Sequence, residues 1–347
     1  MKPFVSVIMP ARNEARFLAR ALDSILGGDY PAGRMEVIVA DGMSTDGTRE
    51  RIAEYAARDR RVRMIDNPQR TTPAALNRAI DAAKGEIIAR LDAHAAVAPD
   101  YLSRCVEYLE SSGADNVGGL MHTLAQGSGP FSGAIIAAMS HRFGVGNSYF
   151  RIAAGLGRQA PRWVDTVFGG CWRREVFRRV GRFNERLERS QDMEFSLRLK
   201  AAGGKTLLAP EVHSDYYARS DLRSFWRHNI LNGEWAVLPW VYSDIIPVSA
   251  RHLVPLIFVI ALMAAVAAMA WTAWPLAMVA IPYATLSLAA SAQAAWRERK
   301  LALFGLMPVA FASLHLGYGF GSLRALTRVA CERAHSRIEE ASCFRQP

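Results

Sequence analysis

Cysteine is scarce: Cys105, Cys171, Cys331 and Cys343 are scattered over 347 positions and form no C-x-x-C pair. That spacing offers neither a zinc site nor a disulfide framework and suits a reducing compartment. No signal-peptide core is completed at the start, because Pro10, Arg12, Asn13 and Glu14 end the apolar run from Phe4 to Met9. The first domain is therefore expected in the cytoplasm. The first strand-to-helix turn, Pro10-Ala-Arg-Asn-Glu14, lacks the glycines that let a dinucleotide pyrophosphate approach, which sets aside a nicotinamide enzyme of the Rossmann type. Acidic side chains are in the minority, and the formal net charge is +10. An anionic partner follows. Nucleic acid is not expected, since no recognised module is present and the arginines lie beside apolar segments.

Charge is absent altogether from Leu253 to Ala295. At ~1.5 Å per residue, one helix of that length would cover about twice the ~30 Å hydrocarbon thickness of a bilayer. Two spans are expected, broken at Trp271-Thr272-Ala273-Trp274-Pro275, where tryptophan suits the interface and proline a helix start. A third apolar segment runs from Leu301 to Leu323, with His315, Gly317, Gly319 and Gly321 crowding its second half. A hairpin returns the chain to the cytoplasm at Arg297, Arg299 and Lys300, as the positive-inside rule requires, but a full third span would put Arg324, Arg328, Arg333 and Arg337 outside. The third segment is therefore expected to be re-entrant or interfacial. The expected divisions are residues 1–240, a membrane segment over 251–323 and a basic tail over 324–347.

Before that segment, β-branched runs alternate with amphipathic stretches: Val5 to Met9 then Ala15 to Leu26, Met35 to Ala40 then Thr48 to Arg58, and Val62 to Ile65 before a helix with Thr72 as N-cap and Pro73 as first residue. Ile87 to Leu91 supplies a fourth strand. This is βαβ repetition, hence a parallel sheet whose ligand crevice lies at the carboxyl ends of the strands. Asp41 and Asp92 follow the second and fourth strands and should face one crevice. From Pro130 to Trp240 the chain holds a glycine-rich stretch (Gly144, Gly146, Gly155, Gly157), a candidate strand near Thr166, and a helix from Asp192 to Ala202 closed by Gly203-Gly204. It is expected to continue the same domain as the other wall of the crevice. Nine arginines fall between Arg158 and Arg189; they form either a solvated face or a surface for lipid headgroups or a lipid-linked phosphate.

Four stretches carry the chemistry. Val5-Ser-Val-Ile-Met-Pro-Ala-Arg-Asn-Glu14 runs a strand into a proline turn with a polar tip. Val39-Ala-Asp-Gly-Met-Ser-Thr-Asp-Gly-Thr48 presents Asp41, and Ala89-Arg-Leu-Asp-Ala-His-Ala95 presents Asp92 with His94 two residues on. Phe168-Gly-Gly-Cys-Trp-Arg-Arg-Glu-Val-Phe177 is followed by Ser190-Gln-Asp-Met-Glu-Phe195 and Arg198. Together these resemble the family 2 glycosyltransferases, and more closely the bacterial succinoglycan-biosynthesis type, over about residues 4 to 240.

The resemblance implies an α/β fold of the GT-A type, a Rossmann-like mixed sheet, followed by transmembrane helices. It implies that Pro10, Asn13, Glu14, Asp41 and Asp92 bind a nucleotide sugar of the uridine type, and that Asp192 is the general base. Gly169, Gly170 and Glu194 fall on the acceptor side, with Glu194 the first substitute as base. Asp92 and His94 stand where the family's Asp-x-Asp motif holds a divalent cation, manganese or magnesium, against the diphosphate. His94 in place of the second aspartate leaves a structural or substrate-contacting role open for it, and leaves the metal's identity open, since imidazole suits manganese better. For Asp192, a helix cap is the other possibility. Ala40 and Gln191 also depart from the family pattern, and Arg227 to Trp235 keeps only the tryptophan of the processive Gln-x-x-Arg-Trp motif. The expected activity is inverting transfer of one sugar to a lipid-linked saccharide in exopolysaccharide or cell-surface polysaccharide synthesis, by a multi-pass protein of the bacterial inner membrane with a cytoplasmic catalytic domain. Transfer to polyprenyl phosphate and an inactive membrane scaffold are the alternatives.

Overall fold

The structure is a computed structural model. It describes residues 1–155, 159–243 and 250–343, with side chains in the last segment from 252 to 330; Gly157, Arg158 and the side chains of Arg333 and Arg337 lie outside it. Nine strands are present among these residues: β1 (Val5–Ala11), β2 (Met35–Asp41), β3 (Val62–Asp66), β4 (Ile87–Arg90), β5 (Ala95–Val97), β6 (Asn116–Ala125), β7 (Arg162–Val164), β8 (Cys171–Arg173) and β9 (Thr206–Ala218). The helices are α1 (Leu18–Leu26), α2 (Thr48–Arg58), α3 (Thr72–Ala82), α4 (Tyr101–Ser112), α5 (Ser132–Met139), α6 (Arg142–Val145), α7 (Tyr149–Ile152), α8 (Arg174–Arg179), α9 (Gln191–Ala201), α10 (Leu222–Val237), α11 (Pro239–Tyr242), α12 (Ala250–Ala268), α13 (Trp274–Glu298) and α14 (Ala302–Cys343). The chain forms two compact units, Met1–Leu124 with Ser148–Tyr217, and Ala125–Asn147 with Ala218–Pro347.

The first unit is built on one mixed sheet in the order β3-β2-β1-β4-β8-β6-β9-β5, with β7 on β9. β3, β2, β1 and β4 run parallel, and β8 joins β4 antiparallel. The parallel strands read as continuous apolar runs because both faces are covered. Val5, Val7, Met9, Val37 and Val39 face one core layer with Leu18, Leu22 and Leu109, whereas Ile8, Ile38, Ala40 and Ile88 face the other, with Leu76 and Phe195. This alternation explains Ala40. Position 40 faces an apolar layer with Ala75 and Leu76, where a carboxylate would be buried without a partner.

Two helix starts differ from expectation by one residue. α3 begins at Thr72, so Thr71 is the N-cap and makes no side-chain cap bond, and Pro73 falls at the second helical position. α9 begins at Gln191 after Ser190, whose φ of +61° is left-handed. At its other end α9 stops at Ala201, one residue before the expected Ala202; Gly203 takes φ +78°, and a Cβ on Gly204 would lie 2.3 Å from Leu199 Cδ1. The strand sought near Thr166 is Arg162–Val164.

The second unit is helical. α12 ends at Ala268 and α13 starts at Trp274, so the tryptophan–proline segment is the break. Trp274–Glu298 and Ala302–Ala330 are long and apolar enough to cross a membrane, whereas the apolar part of α12, His252–Ala268, is shorter. Val254, Ile257, Met278 and Ile281 are each more than half exposed, a belt of apolar surface suited to lipid contact. The third segment is a continuous helix. Its glycines let backbones touch: a Cβ at Gly321 would lie 2.0 Å from the Ile230 carbonyl oxygen of α10, and one at Gly233 1.9 Å from that of Tyr318. His315 is fully tied, with Nδ1 3.0 Å from the Tyr283 hydroxyl and Nε2 3.0 Å from the Phe143 carbonyl oxygen.

Candidate active site

All the candidate binding, catalytic and metal-ligating residues named from the sequence lie in the first unit. Pro10 and Asp41 close β1 and β2, where the register pairs Pro10 with Ala40 and Ala11 with Asp41. The chain then turns on Asn13 at φ +55°. Asn13 and the loop after β2 lock together: its N–H donates to Ser44 Oγ at 2.9 Å, and Thr45 N–H donates to Asn13 Oδ1 at 2.9 Å. Glu14 N–H donates to Thr48 Oγ1 at 2.8 Å. A loop braced this way presents its polar tip with little freedom to lose on binding.

Asp41 is fully buried. Its Oδ2 accepts from Arg49 Nη1 at 2.6 Å and from the Ser44 N–H at 3.1 Å, and Arg49 Nη2 reaches Asp66 Oδ1 at 2.8 Å. Asp41 Oδ1 is buried with no partner. A buried acceptor without a donor is costly.

Asp92 follows β4 and is held by Arg90, whose Nε donates to Oδ1 at 2.8 Å and Nη2 to Oδ2 at 3.2 Å. The Arg90 and Asp92 side chains retain only 8% and 14% of their exposure. Burial is the strongest influence on Asp92 and pushes its carboxyl upward, but the Arg90 charge, His94 and the Arg90 hydrogen bond together hold it below the usual range. His94 Nδ1 lies 3.1 Å from Glu14 Oε1. Burial would push that imidazole down; Glu14 and Asp92 outweigh it and hold it above its ordinary value. Tyr216 on β9 meets the His94 ring edge-on at 5.7 Å and carries the Arg151 guanidinium 5.3 Å from its own ring centre.

Gly169 and Gly170, at φ +68° and +106°, turn the chain into β8 against β4. Arg90 N–H donates to the Gly170 carbonyl at 2.9 Å, and a Cβ on Gly169 would lie 3.0 Å from the Arg90 carbonyl oxygen. Asp192 is exposed in the first turn of α9, one residue past its start, and its Oδ1 accepts from the next N–H, Met193, at 2.9 Å. It is not the capping residue. Burial works most strongly against the Arg90 charge; Asp92 first and Asp192 second favour it, and Arg90 is held above its ordinary value. Glu194 is buried, with each carboxylate oxygen 2.8 Å from an Arg198 nitrogen. Arg198 in turn donates to the carbonyls of Val180 and Arg182.

Among the described residues, no three His, Cys, Asp or Glu side chains converge to hold an ion. Asp92 and His94 offer one carboxylate and one imidazole, and each Asp92 oxygen has spent one lone pair on Arg90 and keeps another. That donor set fits a cation whose other ligands are diphosphate oxygens.

Several arginines between 158 and 189 are engaged within the unit. Arg173 and Arg174 donate to the Leu109 and Gly85 carbonyls, Arg179 and Arg182 pair with Asp115 and Asp81, and Arg162 lies 4.1 Å from the Tyr149 ring centre. Sequence reasoning missed Arg49, Arg90 and Tyr216. Only Arg90 left a local signal, a cation two residues before Asp92 at the end of β4.

Residues 6–181, about half of the chain, match the family described as glycosyl transferase family 2. The chain is 32% identical over 225 residues to the succinoglycan biosynthesis protein ExoA of Rhizobium meliloti (strain 1021), covering 64% of this chain and 66% of that protein, just under two thirds of its length. It is 26% identical over 238 residues to a dolichyl N-acetyl-alpha-D-glucosaminyl phosphate 3-beta-D-2,3-diacetamido-2,3-dideoxy-beta-D-glucuronosyltransferase of Methanococcus voltae, covering 66% and 72% of the two chains. Among solved structures, the mannosyltransferase PcManGT from Pyrobaculum calidifontis, in complex with GDP-Man and Mn2+, superposes with a TM-score of 0.57 at 21% identity over 94% of this chain and 88% of that one. This last likeness shows the GT-A fold. The chain belongs to glycosyl transferase family 2.

Proposed function

We propose that this glycosyltransferase moves one sugar, with inversion, from a uridine-diphosphate donor to a lipid-linked saccharide in the synthesis of an exopolysaccharide or cell-surface polysaccharide. The observation that carries this is an exposed carboxylate, Asp192, near enough to act on the charge of Arg90, the buried residue whose guanidinium clamps Asp92. Asp41 Oδ1 is the acceptor for the base N–H, with Pro10, Asn13 and Glu14 bordering the nucleotide. Asp92 and His94 would hold a manganese or magnesium ion together with the diphosphate; such an ion neutralises charge on the leaving group. Asp192 takes the proton from the acceptor hydroxyl as its oxygen bonds to the anomeric carbon, and the bond to the diphosphate breaks with its electron pair leaving on the nucleotide. One displacement suffices, so no covalent nucleophile is required. Gly169 and Gly170 shape the acceptor side, and Glu194 supports that wall through Arg198. The apolar surfaces of α12, α13 and α14 anchor the protein in a bilayer, with the catalytic domain in the cytoplasm. Support for the acceptor class comes from the succinoglycan-biosynthesis relative.

Transfer to polyprenyl phosphate is the second reading. A phosphate oxygen needs no base, so that reading predicts full turnover in Asp192→Asn. The test is a screen of radiolabelled nucleotide sugars on membranes containing the full chain, with the lipid extract counted. Label in a lipid-linked saccharide from a uridine-diphosphate sugar is expected. No transfer from any donor, together with no binding of uridine diphosphate, would leave only an inactive scaffold.

A further inference from the structure

We propose that Arg90, to which neither the family pattern quoted above nor the transfer chemistry assigns a part, is the positioning residue of this site: its guanidinium holds the Asp92 carboxylate in the orientation that meets the cation and diphosphate. The inference rests on the proposed role of Asp92.

Three contacts fix Arg90 itself. Its backbone N–H donates to the Gly170 carbonyl, and its own carbonyl oxygen is approached so closely at Gly169 that a Cβ there would lie only 3.0 Å away. Its side chain is almost fully buried, and its Nε and Nη2 span both Asp92 oxygens. A buried guanidinium is tolerated only when its charge is answered, and the two-point fork leaves the carboxylate one plane and one rotamer. Asp92 lies just beyond β4, in a turn where Ala95 N–H donates to its carbonyl oxygen. Without the fork the carboxylate would have the rotamer freedom of an ordinary turn residue. Arg90 also joins two parts of the site that are 78 residues apart in sequence, because the Gly169–Gly170 turn bonds to the same residue that clamps Asp92.

Residues that orient a metal ligand without touching the metal typically cost ~10- to 100-fold in metal affinity when replaced. The test is titration calorimetry of uridine diphosphate into the full chain in detergent, at a series of manganese concentrations, on wild type, Arg90→Lys, Arg90→Met, Asp92→Asn and the double variant Arg90→Met with Asp92→Asn. Arg90→Met is expected to raise the manganese concentration for half-maximal nucleotide binding by about 10- to 100-fold, with binding in chelator unchanged. Arg90→Lys keeps the charge but not the fork and should fall between. The double variant, which removes both charges and so protects folding, should match Asp92→Asn alone, because Arg90 acts only through Asp92. Wild-type manganese dependence in folded Arg90→Met, tighter manganese binding in it, or additive losses in the double variant would each overturn the proposal. If Asp92→Asn itself leaves manganese dependence unchanged, the assignment of Asp92 falls first.

Discussion

Arg49 Nη1 sits 2.6 Å from Asp41 Oδ2, and the other Asp41 oxygen is buried with no hydrogen-bond partner. On the proposed reading, one oxygen of this carboxylate serves the fold and the other serves the nucleotide. In Asp41→Asn the oxygen must stay with Arg49, which places the amide NH2 where Oδ1 stood and replaces an acceptor by a donor. Uridine-diphosphate binding should weaken by ~1.5 to 3 kcal/mol, the usual worth of a hydrogen bond to a charged group. Calorimetry on the full chain reads this directly, and wild-type affinity would remove Asp41 from the nucleotide site.

Asp192 and Glu194 share a helix turn but not a fate. Asp192 is exposed, and the bond its Oδ1 accepts from the Met193 N–H can be kept by an asparagine oxygen, so Asp192→Asn should leave the melting temperature within error while turnover falls ~10²- to 10⁴-fold. Donor affinity should be retained. Glu194→Gln breaks a buried fork with Arg198, and removing one partner of such a pair costs ~3 to 5 kcal/mol. Its defect should appear in thermal unfolding. The reverse pattern, a stable and inactive Glu194→Gln beside an active Asp192→Asn, would make Glu194 the base.

Glu36 sets an acid limit on the sheet. It accepts from Ser6 Oγ at 2.6 Å, Lys84 N–H at 2.7 Å and Arg63 Nε at 3.0 Å. Burial pushes its carboxyl upward most strongly of any single influence, but those three donors together hold it below its ordinary value of 4.5. A depressed carboxyl stabilises the fold fully above its unfolded value, and that contribution is lost as pH falls through the folded one. Urea unfolding of wild type should therefore steepen in pH dependence below about pH 4.5, and Glu36→Gln should flatten that limb. Identical slopes in the two proteins would show that Glu36 does not contribute.

The α10–α14 seam can be tested by two glycines of α14. A Cβ at Gly321 meets the Ile230 carbonyl oxygen at 2.0 Å, whereas one at Gly305 meets nothing within 4 Å. Gly321→Ala should destabilise by ~1 to 3 kcal/mol through overpacking. Gly305→Ala should be neutral, or stabilising by up to ~1 kcal/mol from helix propensity. Thermal unfolding in detergent separates them, and equal effects would mean that the backbones do not approach as closely as described.

Much was legible in the linear chain. The apolar runs of β1 to β4 mark strands because strands covered on both faces carry apolar residues throughout. Parallel βαβ order then forces Asp41 and Asp92 to the carboxyl ends of their strands, whatever their neighbours. The interruption at Trp271 to Pro275 marks a helix break because proline and interfacial tryptophan act locally.

Partnership was decided only by the tertiary structure. Arg90 against Gly169 and Gly170 depends on β8 returning antiparallel beside β4, a pairing that no local pattern encodes. The arginines of 158 to 189 looked like one basic surface in sequence, yet Arg173, Arg174, Arg179 and Arg182 are each directed to acceptors of their own within the unit. Residues 125–147 group with the C-terminal helices rather than with the sheet that precedes them. The physical reason is common to all of these. Periodicity and turn chemistry act over a few residues and are written in the chain, whereas the partner of a charge or a close-packed glycine is chosen by which distant elements are brought within 3 to 4 Å, and that is settled only when the whole core is buried at once.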